Sequence, residues 1–98
     1  MNSKIRDEQT DDLFEAILLL KNVDECYNFF EDICTVPEIK ALAQRLEVAK
    51  MLRRKSTYTE IAEKTGASTA TISRVNRCLI YGADGYKMIL DRLEEQKV

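Results

Sequence analysis

Histidine is missing from this sequence, and its three cysteines, Cys26, Cys34 and Cys78, stand far apart. They offer no CxxC pair, no CxxC with a downstream HxxH and no Cys/His couple, so the usual zinc and thiol-redox patterns are excluded. The cysteines read as buried thiols, and no metal or other cofactor is expected. Without histidine, a phosphate loop or a converging set of carboxylates, no acid/base scheme improves on a structural explanation of the same residues, and an enzyme is not expected. Apolar runs are short, none approaching the ~20 residues of a membrane span. Met1 to Glu8 is polar and charged and lacks the apolar stretch of a secretory signal, so a cytoplasmic protein without a membrane partner is expected. One proline, three glycines and no Gly/Ser-rich or Pro-rich linker point to an all-α chain forming a single domain over residues 1–98. At that length a lone core is thin, which makes oligomerisation a live option.

The formal net charge of −2 conceals an uneven distribution. Residues 1–39 hold three basic and ten acidic side chains, residues 40–77 nine and three, and residues 78–98 three and four. A basic middle in an otherwise acidic chain suits a nucleic-acid face, although a solvated helix face can be basic without one.

Six helices are expected. The first spans 11–21, with Thr10 as N-cap and Asp11 and Asp12 in its first turn. Leu13, Phe14, Ile17, Leu18, Leu19 and Leu20 give it more apolar surface than one side can use. The second spans 24–34, with Tyr27, Phe30, Ile33 and Cys34 at helical spacing. Thr35-x-x-Glu38 has the pattern of a capping box and Pro37 suits a first turn, so a central helix is expected over 35–55 with Ile39, Leu42, Leu46, Ala49 and Leu52 inward. After the turn Tyr81 to Asp84, a final helix over 85–96 carries Tyr86, Ile89, Leu90 and Leu93.

Between them, residues 58–77 have the requirements of a helix-turn-helix. Gly66 supplies a positive-φ turn, Ala62 a small contact beside Ile61, Ala67 fills the turn, and Ile72 and Val75 face the first helix from the second. Ser68 or Thr69 can cap the second helix, leaving Thr69, Ala70, Ser73, Arg74 and Arg77 outward. An αα-corner that merely packs is the plain alternative. Small polar residues at the tip of the second helix favour entry into a major groove. Arg74 and Arg77 can pair with phosphate or guanine, Thr69 and Ser73 with base edges or phosphate, and the methyls of Ala70 and Thr71 with thymine. Thr57, Tyr58 and Thr59 begin the first helix of the motif and can hold phosphate. Lys50, Arg53, Arg54, Lys55 and Lys64 add less specific attraction to double-stranded DNA.

The stretch Ala-Thr-Ile-Ser-Arg at 70–74 follows Glu-Ile-Ala-Glu-Lys-Thr-Gly and, further upstream, Leu-Ala-Gln-Arg-Leu-Glu-Val-Ala-Lys-Met-Leu-Arg. Over roughly Thr35 to Leu93 the chain resembles the Trp-repressor family, most closely its YerC/YecD-like branch. The resemblance implies an intertwined homodimer in which residues 11–34 are dimerisation helices. It also implies two recognition helices about 34 Å apart on a near-palindromic operator, and hence a transcriptional regulator of the repressor type. A scaffold that binds another regulator or RNA polymerase is the alternative.

In that family two arginines sandwich the corepressor indole, beside a glycine and a serine. Arg74 matches one arginine. Arg45 matches the other if a one-residue gap is allowed, and Gln44 takes the place without it. Val75 stands for the glycine and Cys78 for the serine. Arg45, Arg74, Val75 and Cys78 thus mark the corresponding ligand pocket, and Val75 would intrude on the ring, so tryptophan is not expected as corepressor and any effector is unnamed.

Overall fold

A computed structural model describes residues 4–97. Its six helices are α1 (Glu8–Leu18), α2 (Val23–Ile33), α3 (Val36–Arg53), α4 (Tyr58–Thr65), α5 (Thr69–Tyr81) and α6 (Gly85–Glu95), and no strand occurs among the described residues. The all-helical, six-helix expectation holds. The chain divides into two compact units, Met1–Val36 and Pro37–Val98.

In the first unit, α1 begins three residues before the expected start. The Thr10 amide donates to Asp7 Oδ1 at 2.7 Å, so Asp7 is the N-cap and Thr10 lies inside the helix. That hydrogen bond holds the Asp7 carboxyl below its ordinary range. At the other end the amides of Leu19 and Leu20 donate to the carbonyls of Ala16 and Ile17, both at 3.1 Å, and the helix stops at Leu18 rather than 21. Asn22 then caps α2, accepting from the Glu25 amide at 2.9 Å, while Glu25 Oε1 accepts from the Lys21 amide at 2.9 Å. Neither α1 nor α2 contains a buried residue. Leu18 and Leu19 are 83% and 76% exposed, and Phe14, Val23, Tyr27 and Ile33 are exposed too.

The expectation of buried thiols fails: Cys26 and Cys78 are exposed and Cys34 is half-buried. Cys26 belongs to α2, which buries nothing. Cys78 lies off the row Ile72, Val75, Leu79 through which α5 meets the core.

The second unit has that core. Val48, Ala49 and Met51 of α3, Ile61 of α4, Ala67 of the following turn, Ile72 and Val75 of α5, and Leu90 of α6 are buried together. Leu46, Leu52, Ala62, Leu79, Tyr86 and Leu93 pack against it half-buried. The inward face expected for α3 is corrected: Val48 and Met51 are buried, whereas Leu42 is exposed. Apolar side chains are spread nearly evenly around α3, so their spacing does not select a face. Arg53 ties the end of α3 to α6, bonding Asp91 through Nη2 and Glu94 through Nε at 3.1 Å. The Asp91 hydrogen bond and then the Glu94 charge raise the guanidinium pKa further.

Candidate nucleic-acid interface

Two caps frame the α4–α5 corner. The Thr57 hydroxyl accepts from the Glu60 amide at 3.1 Å and Glu60 Oε1 accepts from the Thr57 amide at 2.7 Å, which closes a capping box at the start of α4. The Thr57 amide first, and then its hydroxyl, hold the Glu60 carboxyl below its ordinary value. The spacing Thr57-x-x-Glu60 is the sequence signature of this cap. At α5 the choice between Ser68 and Thr69 resolves to Ser68, whose hydroxyl accepts from the Thr71 amide and donates to Thr71 Oγ1, both at 3.1 Å. The Ser68 and Thr71 hydroxyls are thus engaged with each other in the cap.

Between the caps, Gly66 has φ 74°, and its amide donates to the Ala62 carbonyl at 2.9 Å. A Cβ there would meet nothing within 4 Å, so the left-handed backbone rather than crowding calls for glycine. Thr65 wires the turn: its hydroxyl donates to the Ile61 carbonyl at 2.7 Å and accepts from the Ala67 amide at 3.1 Å. From α3, Gln44 Nε2 donates to the Thr65 carbonyl at 3.1 Å. That carbonyl lies in the last turn of α4, where acceptors lose their intrahelical partners. Gln44 therefore braces the corner against α3, a role sequence spacing did not reveal because the partners are 21 residues apart.

On α5 the inner and outer faces separate as expected. Ile72 and Val75 are buried; Thr69, Ala70, Arg74 and Arg77 are exposed and Ser73 is half-buried. Tyr58 and Thr59, exposed, open α4 beside the Thr57 cap. The resulting surface is small and hydroxyl-rich at the α5 N-terminus and cationic one and two turns later. Such a surface can approach a groove closely and pair with phosphate or base edges.

The four residues marked for a ligand pocket are not brought to one recess. Cys78 lines an open apolar hollow with Leu46, Gly82, Ala83, Gly85, Tyr86 and Ile89. Arg45 is close enough to act electrostatically on Tyr86, whose hydroxyl pKa is raised chiefly by burial. Arg74 and Val75 are not among the lining residues: Arg74 is exposed on α5, and Val75 is part of the core.

Comparison with known proteins agrees with this architecture. The family described as Trp repressor protein matches residues 8–94. The Bacillus subtilis (strain 168) protein YerC is 61% identical over 92 residues, covering 94% of this chain and 88% of that protein. Among solved structures, a TrpR-like protein from Eubacterium eligens ATCC 27750 superposes with a TM-score of 0.91 at 61% identity, covering 95% of this chain and 96% of that one. A candidate Trp repressor from Staphylococcus aureus gives 0.89 at 57% identity, covering 93% and 91%. The capped α4–Gly66–α5 corner therefore sits in a chain that belongs to the Trp repressor protein family.

Proposed function

We propose that this chain is a sequence-specific, DNA-binding transcriptional regulator of the repressor type that acts in the cytoplasm as a homodimer on a near-palindromic operator. The observation that carries the reading is the outer face of α5, with Thr69 and Ala70 exposed at its capped tip and Arg74 and Arg77 exposed behind them. Among the described residues no helix is long and apolar enough to cross a membrane, consistent with that setting. The dimer is supported by α1 and α2, which bury no residue yet display Phe14, Leu18, Leu19, Val23 and Tyr27. An exposed apolar face of this kind marks an association surface.

Tryptophan is not proposed as corepressor. The four positions that would hold it do not share a recess, and Val75, buried in the core, stands where the family has glycine. Selection of binding sites from random duplex DNA, without tryptophan and then with it, tests both points. A two-fold symmetric site enriched equally in both conditions is expected, with affinity falling steeply as salt rises because phosphate contacts release counterions. Arg74→Ala should weaken binding to that site by about 1–3 kcal/mol and leave the fold intact. Enrichment of no sequence in either condition would favour a scaffold for another regulator or RNA polymerase, and enrichment only with tryptophan would overturn the role given to Val75.

A further inference from the structure

We propose that the junction of α3, α5 and α6 is a binding site for an oxyanion, a phosphate or carboxylate borne on a compact, partly apolar body. An open recess of about 330 Å³ lies there, lined by Leu52, Arg53, Lys55, Asn76, Leu79 and Lys87. That volume is at the lower end of the ~300–1,000 Å³ of small-molecule sites. Three cations and an amide line it and no carboxylate does, while Leu52 and Leu79 provide apolar wall. Neither Lys55 nor Lys87 forms an ion pair among the described residues. Arg53 is already held through Nη2 and Nε by Asp91 and Glu94, yet its Nη1 is a buried donor with no partner. The two carboxylates fix the guanidinium and offset part of its charge, and Lys87 also borders a neighbouring recess with Asp84, Asp91 and Glu95, so the attraction rests chiefly on Lys55.

Lys55 has φ 67° just after α3. Its amide donates to the Leu52 carbonyl and the Ser56 amide to the Met51 carbonyl, both at 3.0 Å, the paired bonds of a Schellman termination. Glycine is the usual occupant, because a Cβ is penalised in the left-handed region. At the corresponding place after α4 this chain has Gly66. Backbone strain of this kind clusters where ligands are held, and at Lys55 it coincides with the rim of the cationic recess.

Two sources supply the chemistry: a free phosphorylated or carboxylated metabolite, and a phosphate of a nucleic-acid backbone. The site itself does not depend on the chain being a DNA binder. Titration of the full chain with inorganic pyrophosphate, against sodium chloride at matched ionic strength, reads it through amide chemical shifts and thermal midpoint. Saturable shifts centred on Lys55, Asn76 and Lys87 are expected. Lys55→Gly and Lys87→Gln should each weaken binding by about tenfold, the loss of one charge-assisted contact. Lys55→Gly should do so without lowering the thermal midpoint of the unliganded chain, because it relieves the backbone. If the source is a nucleic-acid phosphate, pyrophosphate competes with duplex and Lys55→Gly lowers the salt slope by about one. If it is a free metabolite, the slope is unchanged and pyrophosphate does not compete. Shifts that follow ionic strength alone, or that are the same in wild type and both variants, would refute the site.

Discussion

The two units treat similar apolar residues in opposite ways. In Pro37–Val98, side chains from all four helices and the α4–α5 turn converge on one core, with Ile61, Ile72 and Val48 wholly enclosed. In Met1–Val36 the helices α1 and α2 are well capped yet enclose nothing. Caps set where a helix starts and stops, but most helix stability in proteins comes from packing an apolar face. The contrast assigns the second unit a stability of its own and makes the first dependent on something it must cover or be covered by. Under the proposed function, that something is a second copy.

The contrast is broken most severely by opening the core. Ile72→Ala should cost about 2–5 kcal/mol, the range for truncating a buried aliphatic side chain, and should unfold much of Pro37–Val98 as followed by denaturant titration. Leu18→Ser, at a fully displayed position, should leave that same unit within about 0.5 kcal/mol of wild type. Equal losses from the two substitutions would erase the distinction between the units.

Next in size is Gly82→Ala, which acts where α5 ends. An added Cβ would stand 2.4 Å from the Cys78 carbonyl oxygen, the same oxygen that accepts the Gly82 amide at 2.9 Å. Backbone cannot yield as a flexible side chain can, so a loss of about 1–3 kcal/mol is expected, seen as a fall of several degrees in the thermal midpoint.

Gln44→Ala sharpens the comparison within the second unit by removing the brace between α3 and the corner. About 0.5–1.5 kcal/mol is expected for the lost hydrogen bond. Hydrogen exchange should quicken at Gly66 and Ala67 more than at Val48. Gln44→Glu should behave like the alanine variant at neutral pH, because a carboxylate cannot donate to the Thr65 carbonyl. Retained protection of the turn in both variants would remove Gln44 from its bracing role.

The smallest effect is on pH dependence. Glu60 is held below its ordinary value of 4.5 by the Thr57 amide and hydroxyl. Its contribution is therefore present above about pH 4.5 and fades as pH falls through the lower folded-state value. Glu60→Gln retains the reach without the ionisable charge and should flatten that part of the acid unfolding curve. Asp7, lowered by its bond to the Thr10 amide, acts in the same direction at α1 and should persist in the variant.

How much was legible in the sequence depended on whether a feature was local. The corner could be read because Ala62, Gly66, Ala67, Ile72 and Val75 each meet a separate steric requirement at fixed spacing, and all five occupy the expected places. Cap positions are less determined by local sequence. Asp7 and Thr10 are both competent N-caps, and only the chain path decides that the first accepts from the second. The buried side of α3 could not be read from a helix apolar on every side. Gln44 and Thr65 are joined across the fold, and lysine gives no sign in sequence of a left-handed backbone. The cysteines depart from the expected burial because burial belongs to neighbours rather than to residue type. Cys26 stands on α2, none of whose residues is buried.

The most direct test combines both units in one experiment: the mass of the protein bound to a selected symmetric duplex, by sedimentation, for the wild type and for Leu18→Ser with Leu19→Ser. Two chains per duplex are expected for the wild type, with a half-site duplex bound far more weakly. The double variant should fall to single chains that retain the core of Pro37–Val98. One chain per duplex, with full and half sites bound alike, would mean that α1 and α2 serve no second copy and that the homodimer assignment is wrong.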